Sequence, residues 1–216
     1  MLKPDAARIQ LQNWYERLAP LAANARARLT QMSSELVRQC AGCTLDGPDA
    51  WSLTYQWARY TIRPSDWSIR EAGTDKVPTE FTQALLLTYL VTADGTPPSG
   101  GWIAYRDLPN GMFYAQAFRG YAENRLVREL GEGGLELFRA RAEVLDGTPI
   151  EIGDAGYAFA ALPRVHLAAV YWLGDEDFPS RTSILFEDTC PHYLSTDGMA
   201  VMGSHLVNKL LEIKET

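Results

Sequence analysis

Cys40-Ala41-Gly42-Cys43 sets two thiols two residues apart, a spacing that lets both sulfurs reach one metal ion or close on each other as a redox pair. Cys190 stands two residues before His192. With Cys40 and Cys43 these residues would make a Cys3His set, the composition of a tetrahedral zinc site. Thr44 follows the second cysteine, where covalent haem attachment needs a histidine. The chain has 3 cysteines, one short of the four thiolates of a four-iron cluster. A redox CxxC usually opens a helix, and this one closes a helix. The plainer reading is two small buried thiols.

His192 lies in a short polar segment before a helix, beside Tyr193, where an imidazole can point into a cleft. There it is a candidate axial ligand for haem iron or corrinoid cobalt, and its plainer role is a hydrogen-bonded histidine at the helix start. His166, among Val165, Leu167 and Ala168, reads as a core histidine, and His205 as the flank of an apolar helix stripe. Asp175-Glu176-Asp177 follows a buried strand and offers carboxylates to Ca2+ or Mg2+. The spacing is not that of an EF-hand, and a turn whose acids bond backbone donors explains it more simply. The chain has no Walker loop, G-x-S-x-G, H-E-x-x-H or dinucleotide fingerprint, and no D-x-H-x-x-G.

The elements that must position these residues follow from pattern. Asp5 to about Leu29 reads as a helix, with Ile9, Trp14, Leu18 and Leu21 as candidate buried positions and Pro20 as a break or kink. Ser34 to Cys40 is a second, short helix. Residues 51–71 are aromatic and β-branched, cut by a turn at Arg63-Pro64-Ser65-Asp66, a strand–turn–strand pattern. Thr79 is a candidate N-cap for an apolar helix stopped at Asp94-Gly95. GTPPSGG (95–101) is an exposed connection, and it lacks the lysine of a phosphate cradle.

After the strand WIAY come helices from about Ala115 to Leu130 and through Leu135, Phe138, Ala142 and Leu145. AGYAFAAL, RVHLAAVYWL and RTSILFE read as strands, the second apolar on both faces and so central in its sheet. A last helix, capped by Thr196, buries Met199, Met202, Leu206, Leu210 and Ile213. Strands fall in pairs without a βαβ rhythm, which predicts an α+β fold: a mostly antiparallel or mixed sheet packed against several helices, with N-terminal and C-terminal helices. The expected organisation is a helical preface over 1–30 and a single α+β domain over 31–216.

Composition narrows the function classes. A net charge of −7 argues against nucleic acid, because a phosphate-backbone binder needs clustered cations. Arg8, Arg17, Arg26, Arg28 and Arg38 are spaced as a solvated helix face. No apolar run is long enough for a membrane span, and the N-terminus lacks the apolar core of a signal peptide, so a cytoplasmic protein is expected. The 6 Trp and 10 Tyr suit a ligand pocket or a core equally.

Four runs carry a family resemblance: LTADGTPPSGGWIAYRDLPNG (91–111), ALPRV (161–165), YWLGDEDFPSRTSILFED (171–188) and HYLSTDGMAVMGSHLV (192–207). Over residues 30–212 the chain resembles a family of unknown function from anaerobic bacteria and methanogenic archaea. Some of its members are fused to an iron–sulfur domain like that of the corrinoid/iron–sulfur protein. The sequence departs from the family pattern at His166, where a proline is expected, and at Gly198, where an acid is expected. The CxxC lies outside the pattern. The resemblance implies anaerobic one-carbon, corrinoid or iron–sulfur metabolism and names no reaction. It favours a corrinoid or haem site lined by Trp102, Trp172 and Tyr193, with His192 as axial ligand. The rival expectations are a zinc- or thiol-dependent redox enzyme using Cys40, Cys43 and Cys190, and a non-catalytic partner of a corrinoid or iron–sulfur enzyme.

Overall fold

The computed structural model of this chain describes residues 20–213. Ile9, Trp14 and Leu18 lie outside the described residues. By contact the chain divides into two compact units. The first runs to Thr96 and takes in Leu162–Arg164 and His192–Leu194; the second is Pro97–Ala161, Val165–Pro191 and the chain from Ser195.

In the first unit residues 20–29 are helical, and Pro20 is the first described helical residue. Ala22, Ala25 and Leu29 are its buried positions, whereas Leu21, expected inside, is 46% exposed. Helix α1 (Ser34–Ala41) is capped by Ser33, whose side chain accepts from Leu36 N. It ends at Gly42, in the left-handed region at φ 67°, with Gly42 N bonded to Gln39 O and Cys43 N to Arg38 O. These bonds satisfy last-turn carbonyls as a Schellman ending does. A Cβ on Gly42 would also come 3.0 Å from Pro163 Cβ. Gly42→Ala is therefore expected to cost about 1–2 kcal/mol in guanidinium unfolding. An unchanged midpoint would show that this ending is not strained.

Four antiparallel strands follow in order: β1 (Thr44–Gly47), β2 (Ala50–Tyr55), β3 (Ala58–Arg63) and β4 (Ser68–Glu71). Trp51, Leu53, Tyr55, Tyr60, Ile62 and Ile69 are buried, alternating with exposed or half-exposed residues along β2, β3 and β4. Sequence pattern alone runs residues 51–62 together as one strand. The structure instead folds a hairpin there, because Gln56 and Trp57 both take positive φ (41° and 68°) between the paired residues Tyr55 and Ala58. A two-residue turn of that hand matches strand twist, but it lacks the Asn-Gly signature that marks it in sequence. β1 is exposed at all four positions and carries a bulge between Leu45 and Gly47. Helix α2 (Glu80–Thr92) is capped by Thr79, as expected, through Thr82 N at 3.2 Å. It is buried on most sides, and Tyr89 Oη donates to Ala41 O at 2.6 Å, satisfying a terminal carbonyl of α1.

The second unit is built on a five-stranded sheet in the order β5-β9-β8-β7-β6. The strands are β5 (Trp102–Ala104), β6 (Thr148–Ile150), β7 (Ala155–Leu162), β8 (Val165–Trp172) and β9 (Arg181–Glu187). β5 and β8 pair antiparallel with β9, and β6 antiparallel with β7. β8 is central, as its apolar run requires, and only His166 and Trp172 on it are half-buried. β6 is short and contains Pro149.

Helix α3 runs through Ala115–Phe118, a π turn at Arg119–Glu123 and Asn124–Leu130. The π turn aims Glu123 inward, where its carboxylate accepts from Ile184 N at 3.1 Å and its carbonyl from Thr182 Oγ1 at 2.7 Å. Burial raises the Glu123 carboxyl above its ordinary range. Helix α4 is Gly134–Val144 and α5 is Thr196–Glu212. The N-cap of α5 is Ser195, not Thr196: Ser195 Oγ accepts from Gly198 N, while the Thr196 hydroxyl donates to Pro109 O at 2.6 Å. Met199, Met202, Leu206 and Leu210 are buried on α5 as expected; Ile213 is half-exposed.

Phe118 stacks on Tyr105 at 4.4 Å and 13°, with Phe186 and Tyr121 beside it. The GTPPSGG loop is exposed at Pro97–Gly100, yet it is anchored. Ser99 N and Gly100 N both donate to one oxygen of the buried Glu187 carboxylate, and Thr189 Oγ1 donates to the other. Two antiparallel sheets with helices make this an α+β fold. Among the described residues no helix is long and apolar enough to cross a membrane.

Candidate functional site

The first unit brings His192 to Asp94-Gly95-Thr96, a segment read from sequence as a helix stop and a connection. His192 Nδ1 lies 2.6 Å from Asp94 Oδ2 and 3.3 Å from Thr96 Oγ1. Asp94 also accepts from Thr96 N at 2.9 Å through Oδ1, so the carboxylate braces its own loop. That backbone bond, followed by the bond from His192, holds the Asp94 carboxyl down to about 2. A depressed carboxyl stays charged as the pH drops through the usual aspartate range, so the pair outlasts ordinary carboxylates in acid and is lost only as pH falls to about 2.

An ionised carboxylate has only acceptors, so Nδ1 carries the proton of this bond. Nε2 is then the nitrogen with a lone pair in the neutral ring, and it has no hydrogen-bond partner among the described residues. The imidazole is 48% exposed, so a ligand can reach it. A histidine presented this way is oriented as metal-ligating histidines are, with a carboxylate on Nδ1 and Nε2 free.

Tyr193 works from beneath. It is wholly buried, its hydroxyl donates to Thr96 O, and its ring lies 5.9 Å from that of Tyr89. Thr92 Oγ1 donates to Tyr193 O, so both sides of the loop are pinned. Gly95 takes φ 87°, and a Cβ there would sit 3.2 Å from Cys40 Sγ. Cys40 therefore packs against the loop that carries Asp94.

The remaining expected residues are distributed as follows. Cys43 is buried, and burial pushes its thiol up to about 12; its carbonyl accepts from Arg38 Nη1 at 3.2 Å. Cys190 belongs to the second unit, donates to His166 O at 3.5 Å, and is likewise pushed by burial to about 12. Among the described residues no three His, Cys, Asp or Glu side chains are grouped to hold a metal ion. Trp102 and Trp172 also belong to the second unit and are half-buried. The Arg181 guanidinium lies 4.1 Å over the Trp172 ring, so one aromatic face is already occupied by a cation.

His166 is half-buried on β8 and His205 half-buried on α5, where burial, then Lys209, lowers its imidazole pKa. In the acidic turn Asp175 Oδ1 accepts from Asp177 N at 2.9 Å and Phe178 N at 2.8 Å. That is the simpler of the two expectations for it, a self-bonded turn. Asp94 and Thr96 are the site residues that motif reading missed. The signal available was an aspartate two residues before a threonine at a helix end, which marks a turn and not its partner 98 residues away.

The described residues thus define an α+β protein that carries an outward-facing aspartate–histidine pair. The chain belongs to the family of the domain of unknown function DUF3786, which matches residues 34–209. Membership of a family of unknown function is what the four sequence runs implied, over nearly the same span. No curated protein and no solved structure matches the chain.

Proposed function

We propose that this protein is a cofactor-binding or accessory protein in which His192 offers Nε2 as an axial ligand to the metal of a corrinoid or another tetrapyrrole such as haem. The observation that carries the reading is the Asp94–His192 pair, a half-exposed imidazole fixed through Nδ1 with its other nitrogen free. The bound group would supply the metal-centred chemistry. The chain's own residues set the ring: Asp94 fixes tautomer and orientation, Thr96 braces Asp94, and buried Tyr193 holds the Thr96 carbonyl. The anaerobic setting, and a corrinoid or iron–sulfur enzyme as partner, belong to the same proposal and rest on the family resemblance of the sequence runs.

The test is to add hydroxocobalamin and, separately, haemin to the purified chain, desalt, and record absorption spectra. Retained colour with a shifted band is expected, the shift disappearing in His192→Ala. Asp94→Asn is expected to keep the band while weakening affinity about tenfold, the usual cost of losing an outer-shell carboxylate. No retained colour, or the same spectrum in His192→Ala, overturns the reading.

A second reading, a non-catalytic interaction module, draws support from the consecutive exposed residues Met112, Phe113 and Tyr114, at 74%, 82% and 53%. A colourless protein that co-purifies with an enzyme would favour it. The thiol-enzyme reading draws less, because the buried Cys43 and Cys190 thiols keep their protons at neutral pH and a thiolate is the reactive form. Stoichiometric zinc, or a dithiol potential abolished in Cys40→Ser, would revive it.

A further inference from the structure

In the second unit a cleft of about 500 Å3 opens between the turn 131–136, Tyr171, Leu173 and Ser180. That size falls within the range of small-molecule pockets. The turn is built for close approach. Gly131 (φ 64°, ψ −151°) and Gly133 (φ 70°) take conformations open to glycine, and a Cβ on Gly134 would lie 2.9 Å from Tyr171 Oη.

Two donors are left over here. Helix α4 starts at Gly134 with no side-chain cap. Gly134, Glu136 and Leu137 N–H groups bond back into the turn, while Leu135 N–H has no acceptor among the described residues. Tyr171 is 2% exposed, packs its ring against Phe138 at 5.9 Å and borders the cleft. Its hydroxyl has no hydrogen-bond partner among the described residues. The oxygen is not fully enclosed: it opens on the cleft, where it is free to donate to a ligand.

Charge selects what can enter. No Lys or Arg lines the cleft; of the turn's two acids Glu136 is paired with Arg139 at 3.9 Å, and Glu132 is the charge that an anion meets. A cation meets the positive end of the helix dipole. Leu135, Leu173 and the Tyr171 ring are apolar walls. We propose that this cleft binds a small, uncharged, largely apolar molecule through a carbonyl or hydroxyl oxygen that accepts from Tyr171 Oη and Leu135 N.

Three probes of equal chain length separate the cases: hexanamide, hexanoate and hexylamine, each titrated into the 15N-labelled full chain. Hexanamide is expected to shift the Leu135 and Gly134 amide resonances with millimolar affinity, and the charged probes to bind at least about tenfold more weakly. Tyr171→Phe removes a hydroxyl without a partner, so the melting temperature is expected to hold while hexanamide affinity falls about fivefold. Gly134→Ala, which drives a methyl at Tyr171 Oη, is expected to abolish the shifts. Equal binding of hexanoate or hexylamine, no Leu135 shift with hexanamide, or unaltered affinity in Tyr171→Phe overturns the proposal.

Discussion

Glu187→Ala is expected to destabilise the protein by about 3 kcal/mol, a large effect for one polar side chain. The Glu187 carboxylate is 1% exposed and fully used. It accepts from the Ser99 and Gly100 amides and from the Thr189 hydroxyl. Truncation takes the acceptor from the buried Thr189 hydroxyl and from both amides of a loop rich in Gly and Pro, which has no regular structure to offer a substitute. Glu187→Gln keeps one acceptor oxygen and is expected to lose about half as much.

The effect depends on pH. Burial pushes the Glu187 carboxyl up, but the Thr189 hydroxyl and the Gly100 and Ser99 amides outweigh it, and the net shift is downward. A depressed carboxyl contributes stability that is complete above the unfolded value, about 4.3 for Glu, and is lost as pH falls through the folded value. Urea unfolding from about pH 6 to pH 3 is therefore expected to fall more steeply for the parent protein than for Glu187→Gln. Parallel profiles would show that the clasp does not favour the ionised form.

The second large effect is expected at Phe118. It is 1% exposed, stacked on Tyr105 at 4.4 Å and flanked by Tyr121 and Phe186. Phe118→Ala removes most of a fully buried ring from a cluster of aromatics too rigid to close over the gap, and is expected to cost about 4 kcal/mol. Gly203 gives an internal control. A Cβ there would meet Phe118 Cζ at 2.7 Å, so Gly203→Ala should destabilise the parent protein and lose much of that penalty in the Phe118→Ala background. Additive losses in denaturant unfolding would mean that the two positions do not share the packing described above.

Much of the scaffold is readable from local chemistry. Thr79 caps α2, β8 is central because both its faces are apolar, and Met199, Met202, Leu206 and Leu210 are buried on α5. These signals are periodic, and burial enforces them over many residues. What escaped reading depends on single residues or distant partners. The Gln56–Trp57 turn places two non-glycine residues at positive φ, and the packing of Trp51, Leu53, Tyr60 and Ile62 on one face sets the strands on either side of it. Thr196 and Ser195 are both good caps by type; the carbonyl of Pro109 draws the Thr196 hydroxyl away and leaves Ser195 to close the helix.

The site divides in the same way. His192 was visible as a polar histidine before a helix, and the sequence also held both Asp94 and Thr96. Nothing in residue type says that an aspartate ending α2 will meet a histidine 98 positions later, because that pairing is set by the return of the chain to the first unit at His192–Leu194. Composition likewise promised aromatic surface but not its use: Tyr193 is spent as a buried prop and Trp172 as a platform for Arg181.

The outermost strands of the two sheets have a consequence for how copies of this protein meet in concentrated solution. β5 and β6 are three residues each, β6 has a proline in the middle, and β1 and β4 are four residues each, β1 bulged between Leu45 and Gly47. A strand so short, or missing a backbone donor, gives another chain too few consecutive partners to lengthen the sheet. Short margins of this kind work against fibril-type growth by strand addition.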